Sequence, residues 1–125
     1  MSTTLWKINT CPMTYYTVTR AEHGFNAVWP TGEGYNIYFA RLDRKGTRLP
    51  PGEIKTPGKA GHRTGMIALG GPDDSTLVAW TKDNQLGWQL YDANGRPSGL
   101  PGFERSSGNG VAGVVDKEGH FFLFR

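Results

Sequence analysis

The chain of 125 residues holds a single cysteine, Cys11, which rules out an intrachain disulfide and a cysteine-rich zinc site and leaves only an intermolecular bridge open. No apolar run approaches the ~18 residues of a membrane-spanning helix. The start, "MSTTLWKINTCPM", lacks the charged opening and apolar stretch of a signal peptide, so the chain as written is expected to stay where it is made. Charge of one sign is lacking too. The 14 basic and 11 acidic residues are interspersed, so a net charge of +3 forms no stripe fit to neutralise a row of phosphates. Neither nucleic acid nor a membrane is expected as a partner. Helical periodicity is also missing: Gly or Pro breaks nearly every stretch where apolar residues might recur at i, i+3, i+4 and i+7, which excludes a substantial helix.

What the chain has instead is turn formers and aromatics, with 18 glycines and 8 prolines spread along its length and 12% of residues aromatic. Such frequent turns leave room mainly for short strands. Apolar or aromatic runs bounded by turn residues predict strands over Thr4–Asn9, Thr14–Arg20, Phe25–Trp29, Tyr35–Leu42 and Glu53–Thr56. The series continues with Gly65–Leu69, Thr76–Thr81, Leu86–Tyr91, Phe103–Arg105, Gly110–Val115 and His120–Arg125. The length suits one small domain.

These strands repeat. The segment "AVWPTGEGYNIYFARLDRKGTRLPPGEIKTPG" aligns with "VAWTKDNQLGWQLYDANGRPSGLPGFERSSG", setting Trp29 on Trp80, Leu42-Asp43 on Tyr91-Asp92, Gly46 on Gly95 and Leu49-Pro50 on Leu100-Pro101. A partial third copy follows, since "GMIALGGPDDSTLVAW" matches "GVAGVVDKEGHFFLFR" without a gap. A period of about 45 to 50 residues with four short strands per copy is the pattern of a β-propeller blade, a four-stranded antiparallel sheet that buries its faces on its neighbours. The predicted fold is therefore an all-β partial propeller of about 2.5 to 3 blades. It is divided into an outer strand and entry loop (1–13), blade one (14–60), blade two (61–107) and the inner strands of blade three (108–125).

So few blades cannot close a ring, because propellers typically have about 4 to 8 and the end blades would leave apolar faces wet. The expected partner is a second copy, giving a homodimer of roughly six blades, or the missing N-terminal half of a longer propeller. In the dimer, Leu5 to Asn9 of one chain can join the unfinished blade of its neighbour by strand addition.

The segments "CPMTYYTV", "AVWPTGEGYNIYFARLDRKG", "GHRTGM", "LVAWTKDNQLGWQLYDANGRPSG" and "GVAGVVDKEGHFFLFR" together resemble the C-terminal part of bacterial sialidase-like (exo-alpha-sialidase superfamily) six-bladed β-propeller proteins. The resemblance covers essentially the whole chain and implies a half-propeller from a group whose full-length members are often exported. It also implies where a sialidase would keep its chemistry: Asp-box turns of the form S-x-D-x-G-x-x-W, an arginine triad for the sialate carboxylate and a Tyr/Glu nucleophile pair. The chain has no Asp box, and only Arg63, in "GHRTGM", sits where a ligand-facing arginine would lie. No catalytic residue is assigned, and a glycan-directed hydrolase would need most of its catalytic groups from outside this chain.

Propellers bind ligands where loops entering the innermost strands converge, here Thr10–Thr14, Gly61–Thr64 and Ser107–Gly110. Met13, Thr14, His62, Arg63, Thr64 and Asn109 are the resulting candidate site, in which the Arg63 guanidinium would take a carboxylate or glycan ligand among hydroxyls and an amide. The same polar residues would equally serve to satisfy backbone groups at strand ends. Cys11, Met13 and His62 lack metal-ligand spacing, so no metal or other cofactor is expected. His23 and His120 read as exposed loop residues, and Trp29, Trp80, Trp88, Tyr38 and Tyr91 as packing between blades. Asp43 and Asp92, each three residues before a matched glycine, read as turn formers after the third strand. The glycine-rich stretches lack the Lys-Ser/Thr and helix of a phosphate loop.

Overall fold

A computed structural model describes residues 17–31, 35–60, 65–106 and 110–124, and among these the chain is all-β apart from one 3₁₀ turn at Pro72–Asp74. Strands β1 (Thr17–Ala21), β2 (Gly24–Pro30), β3 (Asn36–Asp43) and β4 (Ile54–Lys59) form one antiparallel meander. A second meander follows in the same order: β5 (Met66–Gly70), β6 (Thr76–Lys82), β7 (Gln85–Tyr91) and β8 (Gly102–Arg105). The last two strands, β9 (Ala112–Val115) and β10 (Phe121–Phe124), pair as a hairpin.

Ten of the eleven strands expected from the sequence lie at least partly within the described residues, and each is a strand there. The eleventh, Thr4–Asn9, falls outside them. Most boundaries shift by a residue or two, and the largest shift within the described residues is at the end of β4, expected at Thr56. The Pro57-Gly58 pair reads as a terminator, yet β4 runs through it to Lys59. β4 is the edge of its sheet, where a missing proline N–H costs no ladder bond. The register also shifts between Asn36 and Tyr38, and the Thr56 hydroxyl spans the irregularity by donating to the Ile37 carbonyl and accepting from the Gly58 N–H.

The sheets stack face to face, with β1 beside β5 and β5 beside β9. Thr17 and Thr19 of β1 donate their hydroxyls to the Met66 and Ala68 carbonyls of β5. The shared core takes Val28, Ile37 and Phe39 from the first sheet and Met66, Ala68, Val78, Trp80 and Tyr91 from the second. Each large side chain buried this way is worth about 1.5–3 kcal/mol. The Trp80 ring lies tight between the two sheets: a Cβ built on Gly58 of β4 or on Gly87 of β7 would come within 2.6 Å of it.

Burial patterns follow from this stacking. β6 is buried at six consecutive positions, Thr76 to Thr81, because the first sheet covers one of its faces and the hairpin the other. β9 and β10 alternate between half-buried and exposed, because only one face of the hairpin is covered among the described residues.

One turn chemistry recurs three times. In "DRKGT", "DANGR" and "DKEGH" the aspartate Oδ1 accepts two backbone N–H groups, from Lys45 and Thr47 at Asp43, Asn94 and Arg96 at Asp92, and Glu118 and His120 at Asp116. The glycine three residues on sits at positive φ each time, 83°, 76° and 86° at Gly46, Gly95 and Gly119, a conformation that side chains resist. Asp43 and Asp92 thus act as the turn formers expected after the third strand, while Asp116 closes the β9–β10 hairpin.

Candidate functional site

The predicted site residues Met13, Thr14, His62, Arg63, Thr64 and Asn109, together with Cys11, lie outside the described residues. What is described is the set of strands they lead into. β1, β5 and β9 are the first strands of the three sheets, and they run beside one another in that order.

The most conspicuous surface lies on the far side of the second sheet. Leu77, Leu86, Trp88 and Leu90 face away from the first sheet and, with Phe121 and Leu123 of β10, line an open cleft of about 630 Å³. Period-two alternation on β7 puts these side chains on one face, while Tyr91 and Gln89 turn to the other. The hairpin carries a second apolar surface outside the cleft: Val114, Phe122 and Phe124 are 53%, 47% and 57% exposed. The signal for this surface was present in the sequence as the outward half of each alternating run.

The aromatics divide accordingly. Trp29, Trp80 and Tyr91 are buried, whereas Tyr38 and Trp88 are half-buried. Trp29 stacks on Tyr38 with centroids 6.4 Å apart, and Phe103 meets the Trp80 ring edge-on at 6.4 Å. Burial pushes the Tyr91 phenol up to about 12.

His23 and His120, the two histidines among the described residues, are exposed, and each holds an aspartate. His23 Nδ1 lies 2.7 Å from Asp74 Oδ1, and that hydrogen bond raises the pKa of the ring. His120 Nδ1 lies 3.0 Å from Asp116 Oδ2. The hydrogen bond from the Arg96 N–H holds Asp92 below the usual carboxylate range, and that from the His120 N–H does the same for Asp116. Among the described residues two groups could offer three ligand atoms to a cation: Glu22, His23 and Asp74, and Asp116, Glu118 and His120. In the second, the Asp116 Oδ1 is already committed to two backbone N–H groups.

Compared with known proteins, the chain matches no protein-family profile, no curated protein and no solved structure.

Proposed function

We propose that the chain is an assembly and binding scaffold: a partial β-propeller of about 2.5 to 3 blades whose ring is completed by a second copy, to roughly six blades. One comparison carries this reading. Phe39 sits on β3 opposite Val28 and is fully buried against Tyr91, on the third strand of the next sheet. Trp88 holds the same place on β7, opposite Ala79, and is only half-buried, because the hairpin it faces has no third strand among the described residues. The outer edge of β10 likewise pairs with no strand among them. Strands from a second copy, with Leu5–Asn9 of each chain adding to the other's unfinished blade, would cover Trp88 as Tyr91 covers Phe39. The channel mouth so formed would present Met13, Thr14, His62, Arg63, Thr64 and Asn109 to a small anionic or glycan ligand, with the Arg63 guanidinium taking a carboxylate.

Sedimentation across a range of concentrations tests the assembly. A species of twice the chain mass is expected, and removal of residues 1–9 should weaken it. A folded monomer that binds no hydrophobic dye at any concentration would overturn the reading. The ligand is tested separately by calorimetry with N-acetylneuraminate, whose binding should be lost in Arg63→Ala.

A further inference from the structure

We propose that the space between the two four-stranded sheets at Asn26 and Arg41 is a binding site for a small carboxylate. It lies where β1 and β5 end, not at the end from which the chain enters those strands. Asn26 on β2 and Arg41 on β3 are directly opposite one another, so their side chains share the face that packs on the second sheet. At the corresponding positions of the second sheet the opposed pair is Leu77 and Leu90. Where the repeat calls for two apolar side chains, the first sheet carries an amide and a guanidinium, and departures of this kind from a local packing rule concentrate at functional sites.

Both groups have donors to spare. Asn26 is 1% exposed, and its Oδ1 faces the Thr76 hydroxyl at 3.4 Å, but its Nδ2 is buried with no acceptor. Arg41 Nε is buried without an acceptor as well. The two Nη atoms of Arg41 donate to the main-chain carbonyls of Ala93 and Pro50, which are neutral, and none of the ion pairs among the described residues includes it. The Arg41 charge acts on the Asp92 carboxylate, helping to hold it ionised, but no carboxylate reaches the buried Nε, and an anion supplied from outside would give that N–H an acceptor.

The space is there to receive one. Asn26, Arg41, Thr76, Gly70 and Gly71 line a cavity of about 80 Å³. Gly70 keeps it open, since a Cβ at that position would come 3.3 Å from Asn26 Nδ2 and 2.9 Å from the Ala21 Cβ. Asp74, at the rim, is held by His23. A space of that size has room for a compact carboxylate. Two adjacent N–H donors, one of them cationic, suit the paired oxygens of a carboxylate. That carboxylate can belong to a free acid or to the end of a peptide chain.

Titration of the full chain with acetate, at ionic strength held constant with chloride, tests the site by following the Asn26 side-chain amide and the Gly70 backbone amide by NMR. Both resonances should shift saturably, and the melting temperature should rise with the logarithm of acetate concentration. The double variant Asn26→Leu/Arg41→Leu, which copies the pair in the second sheet, should fold and lose both responses. Asn26→Asp, which brings a carboxylate of its own to Arg41, should melt higher without acetate and respond to it no further. Arg63→Ala should leave the titration unchanged. A peptide ending in glycine separates the sources: the same shifts assign a chain end, and shifts with acetate alone assign a free acid. Absence of a saturable shift, or an equal response in the double variant or in Asn26→Asp, would overturn the proposal.

Discussion

Phe39 and Tyr91 meet across the two sheets with ring centroids 4.6 Å apart and planes inclined at 51°, and neither is more than 1% exposed. This contact joins the third strand of one sheet to the third strand of the next. Phe39→Ala should therefore destabilise the fold by about 3–5 kcal/mol, the usual cost of emptying a buried aromatic site. The matching change Trp88→Ala should cost the dilute chain much less, because that ring is half-buried, and should instead weaken self-association. Urea unfolding at low concentration, read beside sedimentation, separates the two effects, and equal losses of stability would contradict the comparison.

The Trp80 ring lies between two glycines, Gly58 on β4 of the first sheet and Gly87 on β7 of its own. A methyl group on Gly87 would stand 2.6 Å from the indole, closer than carbon atoms approach one another. Gly87→Ala should cost about 1–3 kcal/mol through overpacking. Changing Gly99, which has nothing within 4 Å of its added Cβ, should cost less and only through its backbone at φ 81°. Thermal unfolding of the two variants makes the comparison, and a milder effect at Gly87 would show that the ring is free to shift.

Asp92 and Asp116 bear on acid stability. Their carboxyl groups, held below the ordinary value of 3.8 chiefly by the Arg96 and His120 N–H groups, take up protons more readily in the unfolded chain. The stability they contribute is complete above that ordinary value and is lost as pH falls through the lower folded one. Asn at both positions keeps an acceptor for the turn while removing the titration. The double variant Asp92→Asn/Asp116→Asn should show a shallower fall of melting temperature with acid, and an unchanged slope would place the acid sensitivity elsewhere.

His23 acts in the opposite direction. Its pKa is raised above 6.5, first by the hydrogen bond to Asp74 and then by that carboxylate's charge. Its contribution to stability is complete below 6.5 and disappears as pH rises through the folded value. A proton NMR titration should find His23 titrating above 6.5, and Asp74→Asn should return it toward that value. The shift should also shrink with added salt, since the pair is exposed.

The strands were legible because each is a compact apolar run between turn residues, and the four-strand period showed in Trp29 and Trp80 and in Asp43 and Asp92. Pro57 misled because a sequence does not say that β4 is an edge, where proline is tolerated. Asp116 was hidden for a different reason. The third copy puts the Asp-x-x-Gly turn after its first strand, where the second copy has "GGPDDS", so aligning the strands separates it from Asp92. Asn26 and Arg41, taken singly, look like ordinary solvent-facing polar residues. Only their register, and the leucines at the matching places, show them to be a pair turned inward. The residues expected to form the channel mouth, Met13, Thr14, His62, Arg63, Thr64 and Asn109, fall outside the described part of the chain, and their test remains the Arg63→Ala variant.

Trp80 points back toward the first sheet, and Trp29, one residue past the inward-facing Val28, points the same way from its own sheet, while Phe39 and Trp88 both point forward. The stack of described sheets therefore has a direction, with unlike surfaces at its front and back, so the proposed pairing of copies would join front to back. Contacts of this head-to-tail kind close into a discrete ring when the angle between units divides a full turn, and otherwise grow into a filament. If the chain closes a ring with a second copy as proposed, a single substitution that tilts the hairpin by a few degrees would turn that ring into an open polymer.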